Sequence, residues 1–211
     1  MRDVEVVEVG ERACLVEVED AVAAASLATW LRMSGVPAEE VVPAARSVLV
    51  DGVDPAAVRE LLPRWTAHDA LRPGPLVRVE VRYTGADLAR VADHWGCTAE
   101  DVVDLHTSLE FTSTFCGFAP GFAYLAGLPA DRAVPRLDSP RPRVAPGSVG
   151  LADTWCGVYP TASPGGWLLI GTTDADLWDV GRAEPALLAP GTRGRGVSSR
   201  GTARSAGSPA W

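Results

Sequence analysis

Arg136, Arg141 and Arg143 fall in one short stretch, PRLDSPRPRVAPGSVG, together with Ser148. The stretch that follows, GVYPTASPGGWLLIGTT, adds Tyr159, Ser163 and the bare backbone of Gly165 and Gly166. Guanidinium forks, hydroxyls and unencumbered amides are what binding a carboxylate or a phosphate requires. The same residues suit hairpin turns for conformational reasons alone, so the pattern admits two readings, an anion site or a set of solvated turns. His106 adds a group that titrates near neutral pH, although a histidine at the end of a helix serves equally well as a cap or a packing residue.

Composition narrows the chemistry. All 19 basic residues are arginine, which excludes a Schiff-base lysine and the phosphate-loop lysine of nucleotide-binding enzymes. A formal charge of −8 argues against a nucleic-acid partner, which would call for a basic face. Cys14, Cys97, Cys116 and Cys156 are widely spaced, and His68, His94 and His106 offer no ligand spacing beside them, so no metal site is expected in this chain. There is no G-x-S-x-G elbow and no Walker sequence. Without a signal peptide or an apolar run of membrane length, the expected setting is the reducing cytoplasm, with free thiols and no membrane contact.

The elements that must position these residues follow from periodicity. Residues 3–9 and 12–18 alternate as strands around Gly10, and Ala23, Leu27, Trp30 and Leu31 share one face of a helix over 20–33. Ser47–Asp51 is a strand. Val58, Leu61, Leu62 and Trp65 then fall at i, i+3, i+4 and i+7 of a helix begun by Asp54–Pro55. Residues 1–75 therefore read as a small α/β domain ending in a linker marked by Pro73 and Pro75. LVRVEVRY opens a second domain, 76–191, with a helix over ADLARVADHW and a second begun by Thr98 with Asp101 as capping-box partner, delivering His106 beside the strand LEFTSTFC. From Phe115 to Thr172 glycine and proline recur too densely for long helix, which leaves compact β structure. Residues 192–211 are basic, lack acids and carry scarcely an apolar group before Trp211; burial cannot offset their ordering entropy, so a mobile tail is expected.

FCGFAPGFAYLAGLP, PGSVG and YPTASPGGWLLIG together resemble the KipI family, also described as the B subunit of 5-oxoprolinase or allophanate hydrolase subunit 1. The resemblance implies an α+β fold, a small N-terminal α/β domain followed by a cyclophilin-like β-barrel. It implies one member of an ATP-dependent enzyme complex that opens 5-oxoproline to glutamate. Its partners would be two further subunits, one carboxyltransferase-like and one for lactam utilisation, with ATP and Mg held on this chain or at the partner interface. Alternatives with the same barrel are a KipI-like inhibitor of sensor histidine kinase autophosphorylation and an allophanate- or urea-processing subunit. Matched residue by residue, Arg136 and Arg143 would take an anionic group, Ser148 and the amides at Gly165 and Gly166 an oxyanion or phosphoryl oxygen, and His106 a proton. Phe118, Tyr124, Tyr159, Ser163 and Trp167 would complete the substrate- or phosphate-binding set. The chain departs from the family pattern at Asp153, Trp155 and Cys156, at Thr172 where an arginine is usual, and in RGRGVSSRG, which lacks the apolar pattern of a closing strand.

Overall fold

β-branched residues at every second position make one face of a strand apolar, and two sheets with separate cores result. The computed structural model describes residues 4–66 and 74–198; the linker expected near Pro73 lies largely outside them. In the first sheet β1 (Glu5–Glu8), β2 (Ala13–Glu17), β3 (Glu40–Pro43) and β4 (Ser47–Asp51) are antiparallel in the order β1-β2-β4-β3. Their inward residues Cys14, Val16, Val41, Val48 and Val50 pack under Leu27 and Leu31 of α1 (Ala21–Met33) and Val58 of α2 (Pro55–Leu61). Asp20 caps α1 by accepting the Ala23 amide at 2.8 Å, and Asp54 caps α2 from the Ala56 amide at 2.9 Å. The second helix is shorter than its apolar spacing predicts: it tightens into a 3-10 turn at Leu62–Arg64, because Pro63 lacks the amide that would continue it.

The second sheet has seven strands, and its members are β5 (Leu76–Val81), β6 (Phe111–Cys116), β7 (Ala123–Ala126), β9 (Ser148–Ala152), β10 (Trp155–Val158), β12 (Leu168–Thr172) and β13 (Arg193–Ser198), in the order β12-β9-β10-β7-β6-β13-β5. Between them, β8 (Arg141–Val144) and β11 (Ser163–Gly165) pair only with each other among the described residues, as a two-stranded ribbon. The chain after β5 turns back along β12. Arg82 exchanges both backbone bonds with Thr172, at 2.8 and 2.9 Å, Gly85 donates to the Ile170 carbonyl at 3.2 Å and Asp87 to that of Leu169 at 2.9 Å. The two outer strands are thereby joined and the barrel is nearly closed. α3 (Leu88–Trp95) and α4 (Ala99–Ser108) follow, the latter opened by the expected capping box of Thr98 and Asp101. Among the described residues no helix is long and apolar enough to cross a membrane.

The expected tail begins too early. Residues 193–198 form β13, parallel to β5 and antiparallel to β6, inside the sheet; the remainder, 199–211, lies outside the described residues. RGRGVS hides its strand character because the space over its glycines is filled by others: a Cβ on Gly194 would meet Leu188, and one on Gly196 would stand 3.0 Å from the Tyr83 hydroxyl and 3.1 Å from the His106 ring. Backbone pairing on both sides supplies what the side chains do not. Gly196→Val should therefore lower unfolding stability by about 1–3 kcal/mol through overpacking, measured by urea denaturation followed by tryptophan fluorescence.

Candidate active site

Strand alternation divides the barrel wall into two chemistries. Ala123, Leu125, Val149, Leu151, Cys156, Val158, Leu168 and Ile170 belong to the interior core. Their sequence neighbours Tyr124, Ala152, Trp155 and Leu169 belong to a separate cluster with Phe122, Val144, Tyr159 and Trp167. Phe115 stacks on Tyr124 with centroids 4.4 Å apart, Trp155 and Trp167 meet Tyr124 edge-on at 5.9 and 5.7 Å, and Phe122 joins Tyr159 and Trp167, each at 5.4 Å. Offset and edge-to-face arrangements of this kind add to what area burial alone contributes. Gly157 is required beneath the cluster, since a Cβ there would fall 2.9 Å from the Trp167 ring and 3.0 Å from that of Phe122.

The predicted binding residues Phe118, Tyr124, Tyr159, Gly165 and Trp167 come together here. Phe118 is held at φ 71 yet leaves 62% of its surface exposed, its ring edge-on to Phe122 at 5.4 Å and to Tyr159 at 6.4 Å. A bulky residue in the left-handed region is strained. Gly165 lies on the Tyr159 ring, for a Cβ would sit 2.4 Å from the hydroxyl. Burial raises the Tyr159 phenol pKa, opposed by the Trp167 amide at its oxygen and by the charges of Arg136 and Arg141. The Gly166 carbonyl accepts the Leu137 amide at 2.7 Å, which places the neighbouring Arg136 at the same edge. Arg136 and Arg143 are both exposed and form no ion pair among the described residues. Ser163, opposite Val144 of the cluster, has a buried hydroxyl with no hydrogen-bond partner. No grouping of three or more His, Cys, Asp or Glu side chains suited to a metal occurs among the described residues.

Two expected roles do not fit their positions. Ser148 is only 4% exposed in a fully buried strand, and what it gives the site is a backbone carbonyl that accepts the Tyr159 amide at 2.9 Å. His106 lies on the other side of the wall. It is 2% exposed, with Nδ1 at 2.7 Å from the Tyr83 hydroxyl, Nε2 at 3.4 Å from Cys156 Sγ and its ring 5.0 Å from Phe111. Burial lowers its pKa to about 4 and raises the Cys156 thiol to about 12. A neutral imidazole sealed in the core cannot exchange protons with a ligand on the outer face, so the proton-transfer role falls away.

Residues missed by the sequence reading connect the site to the barrel. Asp87, 5% exposed, accepts from Arg141 Nη2 at 2.7 and 2.9 Å and from the Leu169 amide at 2.7 Å, while Arg141 Nη1 reaches the Trp167 carbonyl at 3.4 Å. The one available signal was an acid immediately before the helix LARVADHW, and it gave no hint of an arginine 54 positions away.

The carboxyltransferase domain, subdomain C and D, family matches residues 4–188. Over 148 residues the chain is 45% identical to the B subunit of 5-oxoprolinase from Escherichia coli O157:H7, covering 68% of each protein. It is 43% identical over 119 residues to the B subunit of 5-oxoprolinase from Bacillus subtilis (strain 168), covering 55% of this chain and 50% of that one. The crystal structure of TTHA0988 superposes with a TM-score of 0.74 at 32% identity, over 90% of this chain and 40% of that one. The matched part is thus half of the Bacillus protein and less than half of TTHA0988.

The buried imidazole has a consequence for stability. The folded pKa lies near 4 and the ordinary value is 6.5, so the unfolded chain binds the proton first as pH falls. The contribution of neutral His106 is complete above pH 6.5 and is lost as pH falls toward 4, at up to about 1.4 kcal/mol per pH unit. His106→Gln should flatten that part of the profile, read by urea denaturation across the range.

Proposed function

This chain belongs to the carboxyltransferase domain, subdomain C and D, family, and from that premise we propose that it serves as the B subunit of a 5-oxoprolinase, as the names of its relatives suggest. The observation that carries the reading is the aromatic face edged by an unpaired guanidinium, Arg136, next to Tyr159 and Gly166. The ligand would be a small lactam that is apolar along its ring methylenes, anionic at one carboxylate and polar at one amide. Aromatic rings suit the methylenes, a guanidinium suits the carboxylate, and the orphaned Ser163 hydroxyl suits the amide.

On this reading ATP would phosphorylate the ring carbonyl oxygen with release of ADP. Water would add to that carbon, the C–N bond would break with the ring nitrogen leaving as the free amine, and a second water would split the resulting acyl phosphate into glutamate and phosphate. Arg136 and Arg143 fit phosphate oxygens as well as a carboxylate. They bring charge but no proton-transfer group, and with His106 sealed in the core a partner subunit is proposed to supply it. We assign ATP, with Mg, to the interface with two partner subunits, one carboxyltransferase-like and one for lactam utilisation. The chain alone is inactive on this reading. The kinase-inhibitor reading draws on the exposed Phe118, which a docking surface would also present.

Co-purification with the two partner subunits should yield 5-oxoproline-dependent ATP hydrolysis that none of the three gives singly. Arg136→Gln should raise KM for 5-oxoproline by about 10- to 100-fold, the loss of one charge-assisted contact, while leaving the denaturation midpoint unchanged. Absence of turnover in the assembled set, with suppression of sensor-kinase autophosphorylation by the isolated chain, would overturn the enzyme reading in favour of the inhibitor.

A further inference from the structure

The ribbon of β8 and β11 roofs the aromatic face but is no part of the barrel sheet. Its strands pair with each other, with Gly165 opposite Arg141 and Ser163 opposite Val144. What fastens Arg141 therefore fastens Gly165 against Tyr159, and with it the strand that carries Ser163. Arg141 is fastened by one carboxylate. Asp87 takes Arg141 Nη2 on both oxygens and the Leu169 amide on Oδ2, and its own amide bonds the Leu169 carbonyl at 2.9 Å. Asp87 thus ends the seam that closes the barrel and holds the roof at the same point. Its side chain is 7% exposed, against 28% for Arg141, so solvent screens the pair little.

We propose that Asp87 is a positioning residue of the site: through Arg141 it sets the distance of the ribbon, and so of Ser163 and Gly165, from the aromatic face, and thereby the affinity for the small anionic ligand. Asp87 touches no ligand itself. The ligand half of this statement rests on the 5-oxoprolinase reading; the mechanical half does not. A carboxylate that merely stabilised the barrel would, when neutralised, loosen the whole wall. One that positions the roof loosens the ribbon alone, because the seam retains its backbone bonds at Arg82 and Gly85.

Two variants separate these outcomes. Asp87→Asn removes the charge and keeps the shape; Arg141→Lys keeps the charge, removes the second guanidinium arm and serves should the first fail to fold. Hydrogen exchange on the isolated chain is expected to quicken roughly tenfold or more at the amides of Arg141, Arg143, Val144, Ser163 and Gly165, with β9 and β10 protected as in the parent. In the assembled complex, KM for 5-oxoproline should rise roughly tenfold with kcat nearly unchanged. The double variant should be no worse than the worse single one, as members of one pair behave. Uniform quickening over the barrel, an unchanged ribbon, or a fall in kcat at constant KM would overturn the proposal. If the parent complex turns over no 5-oxoproline, the functional reading fails while the exchange data still decide the role of Asp87.

Discussion

Everything on the second sheet depends on closure of its seam. Unpaired edges of a long sheet are open to other chains, and here the segment after β5 covers that of β12 by lying against it through Arg82, Gly85 and Asp87. Gly85 makes that approach possible, for a Cβ would come 2.3 Å from the Ile170 carbonyl carbon. Once the wall is closed, alternation has a physical meaning: odd and even positions of β7, β9, β10 and β12 face either a sealed core or an aromatic surface. The core can then be dry enough to hold Tyr83, His106 and Cys156 uncharged, while charge gathers outside.

That division explains what was legible in the sequence. Three of the four strands of the first unit and both helices of the second declared themselves, because each presents one apolar face in water at its proper period; β3, a four-residue edge strand ending in Pro43, is too short to show one. The capping box of Thr98 and Asp101 is local chemistry and was equally plain. His106 was misread because position on a helix gives its neighbours along the chain only. The partners that fix its role, Tyr83 and Cys156, are 23 and 50 residues away. The same reason hid Asp87.

β13 fails the periodicity test for a different cause. Its glycines leave room that Leu188, Tyr83 and His106 occupy, so the apolar pattern is carried by residues elsewhere in the chain. The family departures also find places. Asp153, at φ 52, makes the turn between β9 and β10, a conformation aspartate tolerates. Trp155 enlarges the aromatic cluster, Cys156 meets His106 in the core, and Thr172 gives its backbone to the seam. None of the four disturbs the face that carries Arg136.

Local rules are broken unevenly over the molecule, and where they are broken is informative. Two described residues other than glycine take positive φ; one is the turn residue Asp153, the other is Phe118 at the rim of the aromatic face. Among the described residues two buried polar side-chain atoms lack partners; Trp65 Nε1 is in the first unit, and Ser163 Oγ is in the roof over that same face. Arg136 stays unpaired beside that face; Arg78, Arg90 and Arg143 likewise make no ion pair among the described residues, while Arg82, Arg141, Arg182 and Arg193 are engaged with carboxylates. Strain and an orphaned hydroxyl each cost stability, and both lie at the aromatic face, where Arg136 adds an exposed charge. A ligand with a carboxylate and an amide would suit the charge and the hydroxyl together, which is the argument for proposing the aromatic face, and not the interior around His106, as the binding site.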